Sequence, residues 1–325
     1  MLNIINKKII QKKPFDSIEY EVVNIKNFKF SFRTYGKLNA KKTNVVLVEH
    51  PLSYDTNIVK TEWDKDAWWG NIVKANGVID PQSHFIIIVS THSLVESFLS
   101  CPNQSINFFN ISKVKEEVLE YFEISTVFTL IGASFGGAQA LAFSCYAKKI
   151  VIENIVLIST SHKAYKNQIL FRLIVQEVLN LTDRDKQEKM HRLIRLLFLY
   201  VYRQPDTFNT CEISNIDMIK SYIYRVTDKL KLINPKVFNC YCNMLNTFNF
   251  EKVLLNIKSR VLLIASETDS FYTVSQMKDF YKALSKNSID VQLKIVSSLK
   301  GHDAFLLEQE IFSNVIAEFF ALEAA

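Results

Sequence analysis

The stretch "LIGASFGGAQAL", residues 130–141, gathers three of the chain's seven glycines (Gly132, Gly136, Gly137) around a single serine, Ser134. Before it runs an apolar segment, "VFTLIG" (127–132), with the look of a strand. After it the small apolar residues of 136–148 carry a helical pattern. A strand that reverses at once into a helix holds the residue at the turn in a strained backbone conformation, at a cost of about 1–3 kcal/mol. Side chains two residues before and two residues after that point would collide with the turn, so both places call for glycine. Gly137 lets the helix pack closely on a neighbouring strand. The turn exposes the Ser134 hydroxyl and points the first amides of the helix at the same spot. Gly132-Ala133-Ser134-Phe135-Gly136 therefore reads as a nucleophile elbow.

Further near-continuous apolar runs recur along the chain: "NVVLVEH" (44–50), "FIIIVS" (85–90), "NIVLIS" (154–159), "RVLLIAS" (260–266) and "VQLKIVS" (291–297). Such runs suit strands buried on both faces of a parallel sheet. Amphipathic segments at 112–123, 136–148 and 274–286 lie between them, so the rhythm is α/β, a mostly parallel central sheet flanked by helices. "YEVVNIKNFKFSFRTYG" alternates in the antiparallel manner and is expected as an N-terminal ribbon at the sheet edge. Residues 162–250 hold helical patterns and no strong strand, and the alternation resumes after them. This predicts a helical cap (162–250) inserted into a core made of 1–161 and 251–325. A serine elbow set in such a sheet is the mark of the α/β-hydrolase fold.

A serine hydroxyl is a weak nucleophile, needing a base that is itself oriented by a carboxylate. In this fold the chain order is serine, acid, histidine. His162, His191 and His302 are the histidines that follow Ser134. His302 stands in "SSLKGHDAFLLEQE", just after the last strand and before the last helix, which places it at the strand's carboxyl end beside the elbow. His191 falls on a cap helix, and His162 precedes any candidate acid. The loop after "RVLLIAS" offers Glu267 and Asp269. Asp269 lies deeper in the loop and is the expected acid, with Glu267 a solvated charge. The oxyanion hole takes the amide after the nucleophile, Phe135, and one from the loop "EHPLSYDTN". Pro51 has no N–H, so Leu52 is the natural second donor, with His50 shaping the end of the strand.

Composition narrows the function classes. The chain of 325 residues is 48% hydrophobic and 22% charged, enough to fill a large core, and its net charge of +6 is spread over scattered lysines. There is no basic stripe interleaved with aromatics, so nucleic acid is not an expected partner. The five cysteines are odd in number and unevenly spaced, giving neither a disulfide framework nor a zinc ligand set. Reduced thiols, a cytoplasmic location and no metal site are expected. The N-terminus lacks a secretory pattern, and "LIRLLFLYVY" is too short for a membrane span and contains Arg195.

Several segments together resemble the homoserine O-acyltransferase (homoserine O-acetyltransferase-like) family of the α/β-hydrolase fold. They are "FRTYGKLNAKKTNVVLVEHPLS", "WWGNIVKANGVIDPQSHFIIIVS", "LIGASFGGAQAL", "ETDSFYTVSQ" and "GHDAFLLE", spread over most of residues 28–160 and 255–320. The resemblance implies Ser134, Asp269 and His302 as the catalytic triad. It implies Asp303 as the residue that meets the amino group of homoserine. The arginine that holds the homoserine carboxylate in this family falls at Gln176, with Arg172 one turn earlier. The implied reaction is ping-pong: an acyl group passes from an acyl-CoA thioester, with acetyl-CoA as the first choice of co-substrate and no bound cofactor, to the serine and then to a homoserine hydroxyl. The partners implied are small molecules, and apolar cap helices could bury a homodimer contact or pack on the body. Besides the Gln176 position, the sequence departs from the family pattern in the cap, which is shorter and barely matches, and in two further stretches. The stretch "LVESFLSCPNQS" has no glycine where the family is glycine-rich, and Tyr54-Asp55 stand where a glycine is usual. A serine esterase using the same three residues is the alternative.

Overall fold

The computed structural model describes residues 2–12, 15–24, 27–60, 67–101, 105–180, 187–204, 216–221 and 234–322. Nine strands form one sheet in the order β1-β2-β3-β5-β4-β6-β7-β8-β9. The three leading strands, β1 (Leu2–Gln11), β2 (Ser17–Asn24) and β3 (Lys29–Tyr35), make an antiparallel ribbon, and β3 joins β5 (Phe85–Val89) antiparallel. From there β5, β4 (Val45–Glu49), β6 (Thr126–Ala133), β7 (Val151–Ile158), β8 (Arg260–Ser266) and β9 (Val291–Val296) run parallel. The chain is an α/β-hydrolase fold. The ribbon expected from residues 20–36 is present, but β1 had no sequence signal. It is an exposed, lysine-bearing edge strand held by backbone pairing to β2 rather than by an apolar face.

The apolar runs are explained by burial on both faces. Along β4, Val45 and Leu47 enter one core while Val46 and Val48 enter the other, and β5 and β8 alternate in the same way. One face is covered by α1 (Thr91–Leu99), α2 (Phe108–Tyr121), α3 (Phe135–Tyr146) and α7 (Val274–Lys286). The other is covered by the loop containing Ile58, Trp69, Ile72 and Ile79 and by the C-terminal helix α9 (Gln309–Ala321). The first half of the glycine-free segment after β5, residues 94–99, lies in a helix, α1, capped by the Ser90 side chain.

Between β7 and β8 the described residues contain α4 (Lys166–Asn180), α5 (Gln187–Tyr202), a helical stretch at 216–221 and α6 (Pro235–Thr247). α4, α5 and α6 share a small core of Phe171, Val175, Ile194, Phe198 and Phe238, which closes over Phe271 and Tyr272 from the loop after β8. Among the described residues no helix is long and apolar enough to cross a membrane.

Candidate active site

Ser134 stands at the junction of β6 and α3 with φ 56°, ψ −118°, a left-handed conformation that a non-glycine residue adopts only under constraint. Its amide donates to the Ile158 carbonyl at 2.9 Å, and Thr160 Oγ1 donates to its carbonyl at 3.0 Å. The glycines on either side are there for space. A Cβ on Gly132 would lie 2.3 Å from the Gly136 oxygen, and one on Gly136 would lie 2.1 Å from the Glu49 carbonyl oxygen. A Cβ on Gly137 would strike Thr160, just past β7, at 2.6 Å.

The loops at the carboxyl ends of β8 and β9 bring Asp269 and His302 to this serine. Ser134 Oγ is 2.8 Å from His302 Nε2, and His302 Nδ1 is 2.8 Å from Asp269 Oδ2. The other Asp269 oxygen accepts from the Phe271 and Tyr272 amides at 2.9 and 2.8 Å. A carboxylate can only accept, so His302 donates from Nδ1, and its bare Nε2 is left to accept the Ser134 proton. All three residues are buried. Glu267 turns outward, its carboxylate accepting from Ser297 Oγ. His191 lies on α5, and His162 is 3.5 Å from Glu251 where the chain leaves and re-enters the sheet, so neither approaches Ser134.

Leu52, Ser134 and Phe135 line one cavity, with about 350 Å³ of empty space, part of it open to solvent. Among the described residues no backbone acceptor meets the Leu52 or Phe135 N–H in the turns and loops. The Leu52 loop is fixed from below. His50 Nδ1 donates to the Pro51 carbonyl, and its Nε2 accepts from the Thr91 amide at 2.9 Å. Burial lowers the His50 pKa well below the usual range, which keeps the ring neutral. Gln139 Nε2 donates to the His50 carbonyl while its Oε1 accepts from Lys115, which forms a fully buried ion pair with Glu49.

The rest of the cavity wall is Phe198, Tyr202, Phe238, Leu245, Phe271 and Tyr272, with one cation, Arg172. Arg172 is 4% exposed and reaches Asn246 Oδ1 and the Leu245 carbonyl, but its Nη1 is buried with no hydrogen-bond partner. Burial raises the Tyr272 phenol, and the Arg172 charge partly offsets that. Gln176 points elsewhere, bonded to Asn239, Asn243 and Asn246. The Cys242 thiol also faces the cavity and is pushed up to about 12 by burial, so it stays protonated. Asp303 is 6% exposed and forms no cap on the short helix α8 (Ala304–Leu307) that follows it. Its Oδ2 instead accepts from Arg203 Nε at 2.6 Å. Glu308 separates α8 from α9. Sequence reasoning missed Tyr202 and Arg203, because a cap residue's contact with the loop after β9 leaves no periodic trace. Among the described residues no three histidine, cysteine or acidic side chains are grouped to hold a metal ion.

No protein-family profile matches the chain. It is similar to the homoserine O-acetyltransferase of Methanococcus vannielii, with 24% identity across 91% of this chain and 69% of that one. Among solved structures it superposes on the homoserine O-acetyltransferase of Bacillus anthracis with a TM-score of 0.78 and 15% identity, covering 98% of this chain and 97% of that one. It superposes equally well, TM-score 0.78 at 15% identity, on an esterase designated E22, covering 98% of this chain and 100% of that one. The chain thus has the α/β-hydrolase fold and is similar in sequence to homoserine O-acetyltransferases.

Proposed function

We propose that the protein is an acyltransferase carrying an acyl group from an acyl-CoA thioester, acetyl-CoA foremost, through Ser134 to the hydroxyl of homoserine or a similar amino alcohol. Residues 162–250 act as the cap over a core of 1–161 and 251–325. The reading is carried by Arg172: a buried guanidinium with an unpartnered N–H in the wall of the serine's own cavity is a ready partner for an acceptor carboxylate.

Ser134 Oγ attacks the thioester carbonyl carbon while its proton passes to His302 Nε2. The oxyanion that forms is met by the Phe135 and Leu52 amides, helped by the N-terminal end of α3. Collapse breaks the carbon–sulfur bond, and the leaving thiolate takes the proton from His302. The acceptor hydroxyl then attacks the acyl-serine and gives its proton to His302. Ser134 recovers that proton as the ester leaves. Asp269 stabilises the imidazolium in both halves without taking a proton. With water as acceptor the same cycle is an esterase, a second reading favoured by the Arg203–Asp303 pair, which occupies the carboxylate meant for an ammonium. Free-thiol release from acetyl-CoA decides between them. Homoserine is expected to accelerate it severalfold with O-acetylhomoserine as product, and an unchanged rate yielding acetate overturns the transferase reading.

A further inference from the structure

The end of α5 is fastened to both loops that carry His302 and Asp269. Ser270 Oγ donates to the Val201 carbonyl at 3.1 Å, and Gln204 Nε2 donates to the Thr268 carbonyl. Gly301, at φ +61°, passes so near Tyr202 that a Cβ there would sit 2.4 Å from the Tyr202 oxygen. The Tyr202 ring lies 4.5 Å from that of His302. The next residue, Arg203, holds Asp303 with side chains only 11% and 9% exposed.

We propose that Arg203 sets acceptor selectivity: its guanidinium neutralises Asp303, so an acceptor's ammonium must compete with the protein's own cation for that carboxylate. The inference deepens the transferase reading and rests on Asp303 being the ammonium site. Further cations stand near this corner. The Tyr54 phenol, raised first by burial, feels Asp303 on one side and Arg195 and Arg203 on the other. The Tyr202 phenol, also raised first by burial, feels Asp303 against Arg172 and Arg195. Whether an ammonium displaces Arg203 or shares the carboxylate with it, two like charges meet at a site mostly shielded from water, where their repulsion is only weakly screened. A hydroxy acid without the amine meets no such competition.

The test measures binding, with turnover removed by Ser134→Ala. L-Homoserine and 4-hydroxybutyrate, which has the same hydroxyl and carboxylate but no amine, are titrated calorimetrically into Ser134→Ala alone and with Arg203→Met. The added substitution should tighten homoserine roughly fivefold to twentyfold, the scale of a charge-assisted hydrogen bond, and move 4-hydroxybutyrate by less than about twofold. Arg203→Lys, which keeps the charge, should restore homoserine to within about threefold of the parent. Arg203→Gln replaces the methionine variant if a thermal melt shows the latter unfolded. An unchanged homoserine Kd, equal weakening of both ligands, or no binding to any variant overturns the inference. If homoserine binds as expected yet never accelerates thiol release in the unmutated protein, the transferase reading fails while the selectivity inference stands.

Discussion

Asp269→Asn is the sharpest probe of the proposed chemistry, because every atom the substitution touches has an assigned bond. Asp269 Oδ1 takes the Phe271 and Tyr272 amides, and Oδ2 takes the His302 Nδ1–H. In asparagine the amide oxygen must stay on the two backbone donors, since an NH2 placed there would face two N–H groups. The NH2 therefore points at His302 Nδ1 and forces it to accept, so the ring's proton moves to Nε2. An Nε2–H cannot take the Ser134 proton. The loss should be about 10⁴ in kcat, the size seen in other triads that lose this role, or about 5.4 kcal/mol of transition-state stabilisation. The fold should be nearly unaffected, because the shape and both backbone bonds are kept. The assay is hydrolysis of p-nitrophenyl acetate, with a thermal melt of the same sample. A loss under tenfold, or a larger loss from Glu267→Gln than from Asp269→Asn, refutes the assignment.

Lys115→Met leaves Glu49 buried and unpaired and should cost about 3–5 kcal/mol by denaturant unfolding. Burial raises the Glu49 pKa, so the folded state holds the extra proton and the cost should shrink from pH 8 to pH 5. A pH-independent loss would count against this. For His50, whose folded pKa is lowered, the unfolded chain binds the extra proton below about pH 6.5. Its contribution is complete above that pH and is lost on acidification by up to about 1.4 kcal/mol per pH unit. His50→Gln should flatten the decline measured between pH 7 and pH 5, and an unaltered slope would argue that the ring is not held neutral. Arg172→Met should raise the KM of a carboxylate-bearing acceptor tenfold or more, from roughly 1.5–3 kcal/mol, while leaving single-turnover acylation of Ser134 by acetyl-CoA within about threefold. Equal slowing of both half-reactions would speak against a carboxylate site.

The elements that could be read from the sequence are those whose signal is local. Strands buried on both faces must be apolar at every position, which is why β4, β5 and β8 stand out as unbroken runs, each divided between two cores. The elbow announces itself because steric exclusion at Gly132 comes from Gly136, four residues on, whereas the need for glycine at 136 comes from the Glu49 carbonyl at the end of β4 and is settled only by the tertiary fold. β1 leaves no such trace, because it is held by backbone pairing at an exposed edge rather than by an apolar face.

Chain order and loop position sufficed to single out Ser134, Asp269 and His302, since each sits at the carboxyl end of a recognisable strand and a parallel sheet collects those ends on one edge. The sequence by itself thus determined the parallel part of the sheet, the elbow and the residues carried to it. Tertiary structure alone decided which charges meet. It turned Arg172 into the cavity and Gln176 away from it, although the two lie one turn apart on α4. It also set Arg203, just past α5, on Asp303, a hundred residues along the chain. Whether a long polar side chain finds a carboxylate, a carbonyl or open water depends on how the cap docks on the core, and that docking is governed by apolar contacts whose residues have no bearing on charge.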